Sequence, residues 1–169
     1  MKQFTRCLVF LLLYNVFIFG QDLSLKQSPI LVSPVPYSEL PKITNQKIRV
    51  NLDTQYLEAW SRQGRKWRRV EQFPIVIGES STPTPVGIFY VYHKEYRAVN
   101  SNGTSLGKAL DFAMRKDGGE WLRLAIHGWI FDSNGQPGWG PTQGCIQLLR
   151  DDMDKLYRWA KKGTPVIIK

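Results

Sequence analysis

Residues 121–149 read WLRLAIHGWIFDSNGQPGWGPTQGCIQLL, and two apolar runs in this stretch decide the fold. Trp121 to Ile126 is a strand that delivers His127-Gly128, and Cys145 to Leu149 is a second strand that opens with a cysteine after Thr142-Gln143-Gly144. Between them lies a loop rich in glycine and proline, Gly135 to Pro141, so the thiol stands at a loop mouth, where function concentrates. His127 and Cys145 are eighteen residues apart and each adjoins a glycine, which leaves room for close approach of another backbone. A histidine and a lone thiol in this arrangement form a candidate base and nucleophile.

Working outward, the N-terminus explains why the cysteine matters. Lys2 and Arg6 precede the uncharged run CLVFLLLYNVFIF from Cys7 to Phe19, which has the length of a signal peptide. A spanning helix needs about 20 apolar residues, and this run stops at Gly20-Gln21-Asp22. Residues 1–20 are therefore read as an export signal, with a retained anchor as the alternative. Cys7 leaves with the signal, so the mature chain carries one cysteine where an oxidising compartment favours pairs or none. A small buried hydrophobe is the structural alternative for Cys145.

The remaining 149 residues suit one domain with a tail. The charge is +9 for the whole chain, and +7 without Lys2 and Arg6. An exported basic domain favours anionic surfaces such as cell wall, anionic lipid or polysaccharide. Nucleic acid is the competing reading of the basic charge; no recognised binding motif supports it, and the export signal argues against it.

Residues 21–46 contain Pro29, Pro34, Pro36 and Pro41 and read as an extended linker. From Lys47 the pattern alternates: Ile48, Val50 and Leu52 against Arg49 and Asn51, then Tyr56 to Trp60. A turn around Gly64 leads into the run Trp67 to Ile77, and rigid Thr82-Pro83-Thr84-Pro85 precedes a strand over Ile88 to Tyr92. Between His93 and Arg123 the pattern shows only a polar loop at residues 100–103 and a hairpin across Lys116 to Gly119. Asp151 and Asp152 start a helix whose Met153, Leu156, Tyr157 and Ala160 recur at helical spacing, and Lys161-Lys162-Gly163 end it. Thr164 to Lys169 is a final strand. The fold class is mainly β, a sandwich or mixed sheet with one C-terminal helix.

Together these motifs resemble the L,D-transpeptidases of the YkuD type, cysteine enzymes that remodel bacterial peptidoglycan. The likeness covers residues 47–169 and rests on His127, on Thr142, Gly144 and Cys145 at the family spacing, on Thr84-Pro85-Val86-Gly87-Ile88-Phe89, and on the ending Gly163-Thr164-Pro165-Val166. The chain departs from the family at Gln143, usually histidine, and at Gln147, usually asparagine or arginine. A glutamine amide hydrogen-bonds but does not titrate near neutrality, so His127 is the base.

The resemblance implies a YkuD-like sandwich and an acyl-enzyme on Cys145, formed from a stem tetrapeptide with release of D-alanine and passed to an amine. It further implies that the Gly128 carbonyl orients His127 and that backbone N–H groups of Gly144 and Cys145 face the oxyanion. Gln143, Thr142 and Gln147 would line the substrate groove; Trp129 and Trp139, on both sides of the pair, read either as core or loop-packing residues or as walls of that groove. An L,D-carboxypeptidase or endopeptidase uses the same chemistry, and a noncatalytic wall-binding homologue is the alternative that Gln143 and Gln147 raise. A neighbouring imidazole is expected to raise the thiolate fraction of Cys145. His93 reads as a solvated loop residue, and Arg62, Arg65, Lys66, Arg68 and Arg69 as a soluble hairpin tip on which Trp67 makes contact with glycan or anionic envelope polymer conceivable. No metal ligand set has the required spacing and no cofactor motif is present, so the reading is a monomeric, cofactor-free protein of the cell envelope acting on peptidoglycan stem peptides.

Overall fold

The structure, a computed structural model, describes residues 30–100, 103–117, 120–131, 137–138 and 140–169. Residues 1–20, expected to be an export signal, and Trp139 lie outside the described residues.

Strands dominate, in the order β1 (Ile30–Val32), β2 (Gln46–Asn51), β3 (Tyr56–Gln63), β4 (Lys66–Pro74), β5 (Gly87–Tyr90), β6 (His93–Val99), β7 (Ser105–Asp117), β8 (Glu120–His127), β9 (Ile130–Phe131), β10 (Pro137–Gly138) and β11 (Ile146–Gln147). Helix α1 (Arg150–Trp159) and strand β12 (Pro165–Ile168) follow. One mixed sheet runs β4-β3-β2-β12-β5, and a second runs β1-β7-β8-β11 with β6 added to β7. The final strand is inserted centrally, parallel to β2 and antiparallel to β5. Its register partners include Val166 with Ile48 and Phe89.

The period of two explains the layering. Ile48 and Val50, Leu57 and Ala59, and Phe73 face one side of the first sheet, while Leu110, Phe112, Leu124, Ile126 and Ile146 face it from the second, all buried. Met153 and Leu156 of α1 close this core. The opposite face of β8 therefore carries Arg123, Ala125 and His127, and the candidate site stands on that face.

Three sequence expectations change. The linker over 21–46 is partly docked, since β1 pairs antiparallel with β7 and Leu40 is buried. Pairing at so great a sequence distance leaves no local signature between two prolines. The stretch from His93 to Arg123, read only as a polar loop and a hairpin, contains β6, all of β7 and the start of β8, with β7 and β8 in register through Asp117 and Glu120. The strand expected over Cys145–Leu149 shortens to Ile146–Gln147, and the helix starts at Arg150 and ends at Trp159, ahead of the lysines. Among the described residues no helix is long and apolar enough to cross a membrane.

Gly163 joins the docked segment to the core. It sits at φ +88°, and a Cβ there would collide with the Pro41 carbonyl oxygen. Its N–H donates to Val91 O at 2.7 Å. Gly163→Ala should therefore lose more than ~1 kcal/mol, the cost of the left-handed backbone alone, in urea unfolding. A loss below 0.5 kcal/mol, on the scale of an indifferent surface change, would show that residues 40–43 do not pack as described.

Candidate active site

The site is built where β11 inserts between β8 and the segment after β4. On one side β11 runs parallel to β8, with Gln147 opposite His127 and Ile146 opposite Ile126. On the other, Val76 and Gln147 exchange N–H···O bonds of 2.9 and 2.8 Å, and Thr142 N–H donates to Ile77 O at 3.1 Å. Cys145, one residue before β11, is thus held between two neighbours and lies two residues back from the level of His127.

Hydroxyl groups fix the peptide that carries the thiol. Thr142 Oγ1 donates to Cys145 O at 2.6 Å and Thr84 Oγ1 donates to the same oxygen at 3.3 Å. Thr84 in turn accepts from Gly78 N–H at 2.9 Å. Thr84 therefore belongs to the site, and the Thr-Pro element of the sequence was the signal for it. Gly144 turns the chain at φ +98°, and a Cβ on it would lie 2.9 Å from Arg115 Nη1. Arg115 is nearly fully buried and donates to Gln143 O at 3.1 Å. Its place within an alternating strand gave no sign of this role. The Gln143 side chain itself is exposed, so this position anchors the loop through its carbonyl. Gln147 is buried and its Nε2 donates to Gly138 O at 2.6 Å, tying the short β9–β10 ribbon to the site.

His127 is almost wholly buried. Its Nδ1 lies 2.6 Å from Gly128 O, and because a carbonyl only accepts, Nδ1 carries the proton and Nε2 keeps its lone pair. Burial pulls its pKa from 6.5 down to about 4; the Gly128 bond opposes this and the Arg123 charge adds to it. Burial likewise pushes the Cys145 thiol up, against the lowering pull of the Ala125 backbone and of Arg123 and Arg115. Sγ is 3.7 Å from Arg123 O, a weak contact at most. The resting pair is thus neutral thiol and neutral imidazole, which corrects the expectation of an enlarged thiolate fraction: desolvation outweighs the partner.

A polar cluster occupies the same sheet face. His93 opens β6 with its Nδ1 3.1 Å from Asp111 Oδ2, so it is no loop residue, although its ring remains exposed. Arg123 bonds Glu95 at 2.5 Å and lies 3.6 Å from Asp111. His93, Glu95 and Asp111 offer donor atoms within 4.8 Å of one another, a grouping that their sequence spacing hides, and the Arg123 guanidinium supplies the positive charge that both carboxylates face. Burial raises Asp111, countered chiefly by Arg123, and its Oδ1 has no hydrogen bond among the described residues. Burial and the Asp111 charge push the Tyr92 phenol up to about 12, so it stays protonated. Beyond Gly128 a cavity of about 300 Å³ opens, lined by Tyr96, Lys108, Trp129, Arg150 and Asp154 among others. Lys108 and Asp154 pair across it at 2.7 Å.

The depressed His127 pKa has a stability consequence. Between about pH 6.5 and 4 the unfolded chain binds a proton that the folded chain refuses, so stability falls as pH falls through that window. The full loss is on the order of 3 kcal/mol, from a gap of 6.5 to about 4 at 1.36 kcal/mol per unit. Urea unfolding of the protein and of His127→Gln should diverge over this range, with the flatter profile in the variant; parallel profiles would contradict a buried neutral imidazole.

The fold has counterparts among known proteins. The family model described as the L,D-transpeptidase catalytic domain, YkuD, matches residues 45–168. An Enterococcus faecium L,D-transpeptidase, a Cys-to-Ser mutant, aligns at 27% identity and TM-score 0.57, covering 75% of this chain and 50% of that one. The catalytic domain of an E. faecium L,D-transpeptidase acylated by ertapenem aligns at 26% identity and TM-score 0.50, covering 76% of this chain and all of that domain. An L,D-transpeptidase from Mycobacterium smegmatis shares the fold at 20% identity and TM-score 0.52, covering 74% of this chain and 58% of that one. The chain thus spans about half the length of the first of these proteins. A search of curated proteins finds no match. With its sheets, its central last strand and its histidine and cysteine segments in the family order, the chain belongs to the L,D-transpeptidase (YkuD) catalytic domain family.

Proposed function

We propose that the chain is an exported, cysteine-dependent L,D-transpeptidase of the cell envelope, acting on peptidoglycan stem tetrapeptides. The observation that carries this reading is the Nδ1 bond of His127 to Gly128 O, which leaves Nε2 free as a base on the strand next to Cys145.

In this reading Cys145 Sγ attacks the carbonyl of the third-position diamino acid as its proton passes to His127 Nε2. A C–S bond forms, the carbonyl becomes an oxyanion, and the backbone N–H groups of Gly144 and Cys145 face it; each such donor is worth roughly 10² to 10³ in rate. The oxyanion then re-forms the carbonyl and expels D-alanine, whose amine takes the proton back from the imidazole. An amine acceptor next attacks the thioester with His127 again as base, and water in its place gives a carboxypeptidase. Trp129 and the cavity beyond Gly128 would offer the peptide a wall and basic groups. Gln143 tunes the loop and is not required for proton transfer, because its exposed side chain contrasts with the buried bond at its carbonyl.

Intact-mass measurement tests the reading: a carbapenem, of the kind carried by the E. faecium domain, should add covalently to this chain and leave Cys145→Ala unmodified. No adduct on the parent would favour a noncatalytic wall-binding homologue. His127→Ala should slow acylation by roughly 10² to 10⁴. Gln143→His should change the rate within about tenfold, since a hydrogen bond contributes only ~0.5 to 1.5 kcal/mol; a gain of several powers of ten would mean that a required titrating group had been lost. The pH profile of acylation should show its acid limb near 4, where His127 protonates, with no limb at 6.5. A limb at 6.5 would place the base elsewhere.

A further inference from the structure

The outer face of the β2–β3–β4 sheet is unlike an ordinary solvated surface. Ile48, Val50, Leu57 and Ala59 point inward, so the residues alternating with them point out: Lys47, Arg49, Trp60 and Arg62, joined from β4 by Trp67 and Arg69. The register sets an indole opposite a cation three times, with Lys47 facing Trp60, Trp60 facing Arg69, and Arg62 facing Trp67. Lys47 Nζ stands 4.0 Å from the Trp67 ring centre, and the Arg49 guanidinium 5.7 Å from that of Trp60. One carboxylate, Glu58, lies among them, and it is taken by Arg69 and by Trp60 Nε1, each at 2.9 Å.

Four cations against one committed acid leave net positive charge on a half-exposed aromatic surface. Burial and then the neighbouring Arg49 charge lower the Lys47 pKa, so these cations crowd one another. Such crowding is relieved by an anion, and guanidinium groups take carboxylates through paired N–H bonds. Indole faces offer apolar platforms of the kind sugar rings stack on. A polymer with both sugar rings and regularly spaced carboxylates matches both features, and the breadth of three strands at about 4.8 Å each suits a chain better than a small molecule. The core separates this face from Cys145, which lies beyond the second sheet, so a polymer held here leaves the thiol free.

We propose that the outer face of β2–β4 is a docking surface for the glycan strand of peptidoglycan, with sugar rings on Trp60 and Trp67 and stem-peptide carboxylates on Lys47, Arg49 and Arg62. The choice of polymer rests on the function proposed above; the binding face does not depend on Cys145.

Co-sedimentation with purified sacculi tests this in a Cys145→Ala background, where chemistry is silent. The sacculi are stripped of attached phosphodiester polymers by acid. The parent should sediment with them, and Trp67→Ala and the pair Lys47→Glu with Arg49→Glu should each weaken binding at least tenfold. Arg62→Ala, exposed at the hairpin end and outside the Trp60 packing, should weaken it severalfold with an unchanged unfolding midpoint. In the Cys145 protein the same substitutions should leave D-alanine release from a soluble tetrapeptide within twofold. Undiminished sedimentation of the variants would overturn the proposal, and so would a parent that binds only unstripped sacculi, which would make phosphodiester polymer the ligand. A protein that binds sacculi through this face yet never releases D-alanine would sink the assignment of Cys145 and leave the docking surface standing.

Discussion

Everything at the candidate site depends on two residues of backbone pairing. β11 is only Ile146–Gln147, yet it is hydrogen-bonded on both edges, to β8 and to the Val76 segment. A slip of one residue in that register would turn Gln147 and Cys145 to the core face and Ile146 outward. The slip is opposed because Ile146 is fully buried against Ile126 and Leu124 in the core cluster, so hydrophobic packing on one side of the strand sets the chemistry on the other. Thr142, Thr84 and Arg115 then hold the preceding turn, each through a backbone carbonyl, and so fix the shape of the chain at Gly144.

Much of this was legible in the sequence where the signal is local. The alternation from Ile48 onward, the turn at Gly64 and the last strand are read from neighbouring residues, and the structure has them at β2, β3, β4 and β12. Helix α1 was read from its apolar spacing, and its boundaries shift because the chain turns extended at Ala160 before reaching the lysines. The His127 and Cys145 segments were legible because their residue types are rare and their spacing is fixed. Asp111, Arg115 and Arg123 were not, since a charged residue in an alternating strand looks like a solvent-facing one until the opposite face is known to be covered. β1 was hidden for a related reason: its partner lies more than eighty residues away.

The electrostatics of the site come from burial more than from charge. Arg123 and Arg115 favour the thiolate, and the Gly128 bond favours the imidazolium, but desolvation is the largest cause for both groups and holds each neutral. In the proposed reaction the proton would therefore move as part of the attack, and no ion pair is maintained where both groups are desolvated. Beside it Arg123 pairs with Glu95 and Asp111, and His93 lies against Asp111.

The neutral thiol also bears on chemical survival. Peroxides and disulfides react with thiolates, and a sulfur that stays protonated is a poor target for them. Cys145 is the free cysteine among the described residues, with no second thiol there to form a protective bridge. The desolvation that holds the thiol protonated would also slow sulfenic acid formation on Cys145, so in the proposed acyl transfer one feature governs both how readily the sulfur oxidises and how it answers a substrate.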